Sequence, residues 1–245
     1  MKSEGSNFMD ASEKFRNMLA VAFDLDSRES ALNLAKEIHE FVGIAKVGLE
    51  LFSSVGPSII SDLLDQDFKI FLDLKLHDIP TTVNKAAKAI GKMGATYTTL
   101  HTVGGLEMLQ AGVEGLVEGS IEAGSSEVFP LGVTILTSEK NAGKSDLLLR
   151  ANLASQSGCK GIVCSGLDLN IVENAVPDLV KVVPGIRDID DLPQDQARIM
   201  TPSEAIKSGA SILVVGRPIT KAANPGLASE KIFSQIVNAF KESMN

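Results

Sequence analysis

Eight short apolar runs recur along the chain, and most are followed by a segment in which apolar residues return every three or four positions. Short runs rich in Val, Ile and Leu are typical of strands buried in a parallel sheet, and the three-to-four spacing is typical of amphipathic helices. Their regular alternation indicates a parallel sheet with right-handed crossovers. The predicted strands are 19–24, 44–49, 69–74, 97–102, 128–136, 161–165, 179–183 and 211–215.

Eight strand–helix units favour a closed (β/α)8 barrel over an open doubly wound sheet. No strand is followed by the Gly-x-Gly-x-x-Gly turn of dinucleotide-binding folds, which weakens the open-sheet alternative further. The polar segment 186–199 is predicted to be a loop, and loops of this length often cover sites. The predicted helices follow Ser27 and span 57–64, 82–93, 105–122, 146–157, 169–175, 202–209 and 230–242.

The length of 245 residues fits a single barrel, which typically needs about 250 residues. We therefore predict one catalytic domain at 18–245, with no linker and no repeat beyond the strand–helix unit. Residues 1–17 are polar and mixed in charge, and they lack the apolar core of a signal peptide. This segment is predicted to be a flexible extension.

Net charge and cysteine content narrow the class of protein. A net charge of −8 argues against a nucleic-acid or membrane surface, although a few local cations could still bind an anionic ligand. No apolar run is long enough to cross a bilayer. Cys159 and Cys164 have neither metal-ligand nor disulfide spacing, so we expect buried free thiols, no metal site and a cytoplasmic location.

The charged cluster at 69–80 is the most informative stretch of the sequence. Alternation along a strand predicts that Asp73 and Lys75 share one face, while Asp78 lies past the strand end, where Pro80 suits the first turn of a helix. Charged groups at the end of a buried strand must be paired or functional. A structural ion pair is the alternative to a catalytic role.

Active sites of such barrels lie at the carboxyl ends of the strands, where several polar residues should converge. Gly216 and Arg217 follow the eighth strand, a common place for a phosphate, although a surface arginine is the alternative. A pair between Asp24 and Lys46 could be purely structural or could hold sugar hydroxyls. The residues expected at this mouth are Asp24, Lys46, Asp73, Lys75, Asp78, His101, Thr137, Pro184 and Arg217.

Several of these segments together resemble the orotidine 5′-monophosphate decarboxylase family, in its bacterial group. The resemblance runs from about Leu19 to the final helix and is most specific at 71–80 and 184–187. Thr81 stands where many relatives have Asn, and Phe23 where Leu is usual, but neither change removes a charged group. The matching segments are 21–24, 46–48, 71–80, 133–138, 184–187, 195–196, Arg198, 200–202 and 216–217.

The resemblance implies a (β/α)8 barrel that converts orotidine 5′-monophosphate to UMP and CO2 in the last step of de novo UMP biosynthesis, without a metal, flavin or pyridoxal cofactor. It implies that Lys75 stabilises the carbanion at C6 of the pyrimidine and protonates it, with Asp73 beside the substrate carboxylate. Asp78 would come from the partner subunit, which makes the enzyme a homodimer with shared sites. The resemblance implies that Asp24, Lys46 and the partner's Thr82 contact the ribose, and that Thr137 contacts the pyrimidine. It implies that Gln196, Gly216 and Arg217 bind the phosphate. Arg187 would lie near the phosphate or the loop hinge, and Pro184 at the mouth.

Two other functions remain open at this point. Ketogulonate phosphate decarboxylases and hexulose phosphate synthases resemble the same barrel but use Mg²⁺ and sugar phosphates. A non-catalytic barrel that binds a phosphate ligand is the second alternative. The segments 77–80 and 184–187 favour the orotidylate reaction over the first, and the complete charged cluster favours it over the second.

Overall fold

All eight predicted strands form, and they close into one parallel barrel in which each strand pairs with its neighbours in sequence and β1 pairs with β8. The computed structural model describes residues 12–125, 127–136, 138–139, 141–187 and 200–243. The (β/α)8 prediction is therefore confirmed. The strands are β1 Leu19–Ala22, β2 Ile44–Gly48, β3 Lys69–Leu76, β4 Tyr97–His101, β5 Phe129–Val133, β6 Gly161–Val163, β7 Val180–Pro184 and β8 Ile212–Val215.

Helices connect the strands, and three of them begin next to a residue that the sequence marks as a helix start, whereas the final helix begins at Pro225, five residues before the predicted start. The Ser27 hydroxyl accepts a hydrogen bond from the Ser30 amide, Pro80 occupies the first turn of its helix, and Thr201 forms a capping box with Glu204. The described helices are α1 Arg28–Ile38, α2 Leu49–Val55, α3 Ser58–Leu64, α4 Pro80–Lys92, α5 Gly105–Glu122, α6 Lys144–Gln156, α7 Leu169–Ala175, α8 Pro202–Lys207, α9 Arg217–Thr220 and α10 Pro225–Ser243.

The core has two layers because strand residues alternate between the barrel interior and the surrounding helices. Phe71, Tyr97 and Val182 belong to the small cluster inside the barrel, whereas the larger cluster fills the space between strands and helices. Cys159 and Cys164 lie in this outer layer as buried free thiols, which confirms that prediction. Burial raises the pKa of the two thiols to about 11 and about 12, so both stay protonated at neutral pH.

Helices α4 and α5 approach each other closely through glycine. A Cβ atom at Gly115 would overlap the main-chain carbonyl of Asn84, and one at Gly119 would overlap that of Lys88. Only glycine permits this approach. The two helices therefore form one tight layer next to β4 and to β3, the strand in which the central charged cluster begins.

The end of the amino-terminal segment packs onto the barrel. Residues 12–16 are helical, the ring of Phe15 lies 5.4 Å from that of Phe240, and the Arg16 carbonyl accepts a hydrogen bond from the Gly43 amide at 2.8 Å. The flexibility of residues 1–17 stays a prediction, and residues 1–11 lie outside the described residues. None of the helices in the described part of the chain is both long and apolar enough to cross a membrane.

Candidate active site

Strand β3 is irregular at the point where the charged cluster begins. Leu72 pairs with Thr98 and Leu76 pairs with Leu100, so three residues of β3 lie opposite one residue of β4. Lys75 adopts a φ of 51°, in the left-handed region that non-glycine residues rarely occupy. The strand therefore contains a bulge, a feature common next to active sites.

The bulge brings the predicted charges together. Lys75 Nζ lies 2.9 Å from both carboxylate oxygens of Asp73. Lys46 Nζ lies 3.7 Å from Asp73 Oδ2 and 3.4 Å from Asp24 Oδ1. The result is a line of alternating charges along the mouth of the barrel. The prediction placed Asp73 and Lys75 on one face through regular strand alternation; the two side chains do come together, but through the bulge and not through that alternation.

The charges differ in how far they reach solvent. The side chains of Asp73 and Lys46 are 13% and 12% exposed, whereas that of Lys75 is 34% exposed and that of Asp24 58%. Asp73 is thus the enclosed centre of the line. Electrostatic interactions at this enclosed carboxylate are screened less than those at the exposed end.

Thr99 of β4 lies opposite the bulge and contacts both of its charged residues. Its hydroxyl donates a hydrogen bond to Asp73 Oδ1 at 2.9 Å and accepts one from the main-chain amide of Lys75 at 2.8 Å. Thr99 is completely buried. A single side chain therefore replaces part of the main-chain pairing that the bulge disrupts.

A cavity of about 270 Å³ opens at the carboxyl ends of the strands. Its polar lining comes from Asp24, Lys46 and Asp73, and Pro184 lies on the opposite wall. Its apolar lining comes from inward-facing strand residues. Among the described residues, the lining consists of Ala22, Asp24, Lys46, Phe71, Asp73, Val163, Pro184, Gly185, Val214 and Gly216.

The residues that follow β7 and β8 complete the mouth. Gly185 adopts a φ of 80°, and the Arg187 amide donates a hydrogen bond to the Met200 carbonyl at 3.2 Å. Arg217 is exposed and opens α9 directly after Gly216, which lines the cavity. The structure therefore places a glycine that lines the cavity and an exposed arginine next to each other at the end of β8.

Asp78 and Thr82 are not among the described residues that line the cavity of their own chain. Asp78 is exposed two residues after β3, and its carboxylate accepts a hydrogen bond from the Ile79 amide at 2.7 Å. Thr82 is exposed in the first turn of α4. Thr137 and Gln196 lie outside the described residues.

Two histidines lie side by side at the carboxyl ends of β3 and β4. The rings of His77 and His101 lie 5.7 Å apart, and His101 Nδ1 accepts a hydrogen bond from the Val103 amide at 3.4 Å. Burial, assisted by the neighbouring His77, lowers the pKa of His101. His101 is therefore a neutral capping group here, in agreement with the structural role that histidines most often have.

An arginine binds Thr134 and Glu139, two described residues that follow β5. Arg150 of α6 binds both carboxylate oxygens of Glu139 at 2.8 Å and donates to the Thr134 carbonyl at 2.9 Å. The guanidinium lowers the pKa of Glu139, so this carboxylate stays ionised and paired. No cluster of three or more His, Cys, Asp or Glu side chains suited to a metal ion occurs among the residues that the structure describes.

Comparison with known proteins agrees with this geometry. The model of the orotidine 5′-phosphate decarboxylase / HUMPS family matches residues 17–232. The chain belongs to this family. The resemblance noted from the sequence is confirmed.

Individual members of the orotidine 5′-phosphate decarboxylase family match nearly the whole chain. The orotidine 5′-phosphate decarboxylase of Lactiplantibacillus plantarum is 39% identical over 90% of this chain and 98% of its own length. That of Lactobacillus gasseri is 42% identical over 86% and 95%. The crystal structure of orotidine 5′-phosphate decarboxylase from Lactobacillus acidophilus has a TM-score of 0.78 at 37% identity and covers 90% of this chain and 99% of its own.

Within this family member, sequence reasoning missed the apolar floor of the cavity and Thr99. The floor had a simple signal, because Ala22 and Phe71 each precede a predicted mouth residue by two positions, and Val214 precedes Gly216, a predicted phosphate contact, by two. Thr99 likewise lies two positions before His101. The contacts of Thr99 depend on the bulge in β3, and nothing in the sequence of β4 indicates that bulge.

Proposed function

We propose that this chain decarboxylates orotidine 5′-monophosphate to UMP and CO2 without a metal ion or organic cofactor. The observation that supports this most directly is the ammonium of Lys75, held 2.9 Å from both oxygens of Asp73 at the barrel mouth. A chain of the orotidine 5′-phosphate decarboxylase / HUMPS family with this arrangement has the charges that the reaction requires.

The reaction needs a fixed cation because its intermediate cannot spread its charge. When the bond between C6 and the carboxylate breaks, CO2 leaves and the electron pair stays in an sp² orbital at C6. The Lys75 ammonium stabilises this pair electrostatically and then gives a proton to C6, which forms UMP. The neutral amine regains a proton from water. A preorganised charge in an enclosed site stabilises such a pair far better than mobile water does.

The rest of the cavity fits a nucleotide. Asp24 and Lys46 line one side of a 270 Å³ space and offer an acceptor and a donor for ribose hydroxyls. Gly216 allows close approach of the main chain, and Arg217 offers a planar donor pair for the phosphate. Pro184, Arg187, Thr137 and Gln196 are proposed to complete the contacts.

The phosphate lies far from the bond that breaks, so its binding energy can be used to assemble the charged array. In this proposal the segment 186–199 closes over the bound nucleotide and excludes water. The hydrogen bond between the Arg187 amide and the Met200 carbonyl joins the two ends of that segment and supports a hinge there.

We further propose that the working unit is a homodimer in which Asp78 of the partner subunit lies beside Lys75, with the partner's Thr82 at the ribose. Exposure of both residues in the single chain supports this. So does the apolar surface near them, since Ile79 and Val103 are 66% and 54% exposed. Burying these side chains against a second copy would bring a second carboxylate to the site.

One assay distinguishes the proposed function from its alternatives. We expect the purified chain to consume orotidylate, followed by its absorbance, at the same rate with and without EDTA. Loss of activity in EDTA would favour a Mg²⁺-dependent sugar-phosphate enzyme. An unchanged absorbance in both conditions, with the phosphate ligand still bound in a calorimeter, would favour the non-catalytic barrel.

Mixed dimers test whether the site is shared. Lys75→Ala and Asp78→Ala chains should each be inactive, and refolding them together should restore about a quarter of wild-type activity. Half of the dimers would be mixed, and each would have one intact site. Lys75→Ala mixed with Asp73→Ala is the matched control, because both changes lie on the same side of a site and no recovery is expected. Absence of recovery in the first mixture would contradict a shared site.

A further inference from the structure

The buried hydroxyl of Thr99 is the one neutral group that bonds both to the main chain of Lys75 and to the side chain of Asp73 within the described part of the chain. It accepts the Lys75 amide at 2.8 Å and donates to Asp73 Oδ1 at 2.9 Å. A hydroxyl has a single proton. Because the amide of Lys75 must be the donor in one bond, that proton is directed at the carboxylate in the other.

The first of these bonds supports an unfavourable backbone. Lys75 has a φ of 51°, and a side chain with a Cβ is strained in that region unless its surroundings hold it there. The register shift between Leu72 and Leu76 removes the regular β4 partner from this part of β3. The Thr99 hydroxyl supplies the missing acceptor, so it holds the lysine in the conformation that directs its ammonium at Asp73.

The second bond fixes the carboxylate itself. Asp73 Oδ1 receives both the Thr99 hydroxyl and Lys75 Nζ, while Oδ2 receives Lys75 Nζ and lies 3.7 Å from Lys46 Nζ. Without the hydroxyl, the carboxylate could rotate toward Lys46. Thr99 is 0% exposed, so water cannot replace its hydrogen bonds at no cost.

We propose that Thr99 is a positioning residue for decarboxylation, which sets the distance between the Lys75 ammonium and the reacting carbon. The inference rests on the proposed function of Lys75. Thr99 is completely buried and its hydroxyl is bonded to the Lys75 amide and to Asp73 Oδ1, so it acts through Asp73 and Lys75 and not by touching substrate. Its removal should therefore lower kcat and leave substrate binding nearly intact.

Two substitutions separate the hydroxyl from the shape of the side chain. Thr99→Val keeps the branched shape and removes both hydrogen bonds, whereas Thr99→Ser keeps the hydroxyl. Thr98→Val is the matched control, since Thr98 is also fully buried on β4 but faces the other way. The Thr98 hydroxyl has no hydrogen-bond partner among the described residues, so its loss should be harmless.

Steady-state kinetics with orotidylate test the proposal. For Thr99→Val we expect kcat to fall about 10- to 100-fold with KM changed less than about threefold, because small misplacements of reacting groups cost rates of this order. Thr99→Ser and Thr98→Val should stay within about threefold of wild type, by the same reasoning. A Thr99→Val enzyme with wild-type kcat, or a Thr99→Ser enzyme as impaired as Thr99→Val, would overturn it.

A crystal structure of the Thr99→Val variant is the second measurement, and it does not depend on activity. We expect Lys75 to leave the left-handed region or Asp73 to rotate, so that the ammonium no longer bonds both oxygens. Unchanged geometry would overturn the proposal. If the wild-type enzyme failed to consume orotidylate, the proposed function would be wrong. The crystal structure of Thr99→Val would then be the only measurement that decides whether Thr99 positions Asp73 and Lys75.

Discussion

Replacing Lys75 with alanine is expected to lower kcat by at least about 10⁴-fold while the chain still folds. The change removes both the charge that stabilises the C6 electron pair and the proton that C6 receives. A loss of this size corresponds to at least about 5.5 kcal/mol of transition-state stabilisation. Asp73 would keep the Thr99 hydroxyl at 2.9 Å and Lys46 at 3.7 Å, so its carboxylate would not be left without partners.

The fold should survive because the Lys75 side chain is 34% exposed and is not part of the hydrophobic core. Alanine in the left-handed region costs about 1–2 kcal/mol, as lysine already does. The matched control is Lys69→Ala, at the opposite end of β3. Lys69 pairs with Glu127 at 2.7 Å, and its loss should leave kcat unchanged.

Single-turnover assays on both variants measure the decarboxylation rate, and circular dichroism shows whether each variant is folded. Turnover by Lys75→Ala within tenfold of wild type would remove Lys75 from the proposed chemistry. An equal loss in Lys69→Ala would indicate that any missing lysine on this strand disturbs the barrel.

The same cluster illustrates what a sequence can predict. Strand identity and the carboxyl-end position of Asp24, Lys46 and Asp73 follow from hydrophobic pattern and chain order alone. Strand identity and chain order therefore predict that these three side chains lie at the same mouth, and all three line the cavity. Local pattern is sufficient here because the closed barrel leaves each strand only one direction and two neighbours.

The bulge in β3 could not be predicted from hydrophobic pattern and chain order. Between the pairs Leu72–Thr98 and Leu76–Leu100, β3 has three residues and β4 has one. This difference depends on how two strands that are distant in sequence align with each other. Alternation predicted that Asp73 and Lys75 share a face, and they meet through a strained Lys75 instead. Thr99 was missed for the same reason, since its role exists only in the presence of the bulge.

Other differences have simpler causes. Helix α2 was not predicted because Leu49 follows β2 directly, with Gly48 as its cap and no turn residue between them. The short helix α9 was not predicted either, because Arg217–Thr220 is only four residues long and shows no helical period of its own. Asp78 needs a second chain to acquire a role at the site, so its assignment stays a prediction until mixed dimers are measured.

Replacing Arg217 with alanine is expected to lower kcat/KM by about 30- to 1000-fold, mostly through KM, with no loss of fold. An arginine that pairs with a bound phosphate in an enclosed complex is worth about 2–4 kcal/mol. In the unliganded chain Arg217 is exposed, and the structure records no ion pair for it among the described residues, so its removal should cost little stability.

Orotidine lacks the phosphate, so a comparison of kcat/KM for orotidine and orotidylate shows whether Arg217 acts on the phosphate. If Arg217 acts only on the phosphate, kcat/KM for orotidine should be the same in wild type and Arg217→Ala, and the advantage of orotidylate over orotidine should shrink in the variant. Lys207→Ala is the charge-matched control, since Lys207 lies on the outer helix α8 and pairs with Glu242 at 2.7 Å. Unchanged kcat and KM for orotidylate in Arg217→Ala would refute the phosphate assignment. An equal loss with both substrates would instead place Arg217 at the ring or the ribose, because only a phosphate contact can distinguish the two substrates.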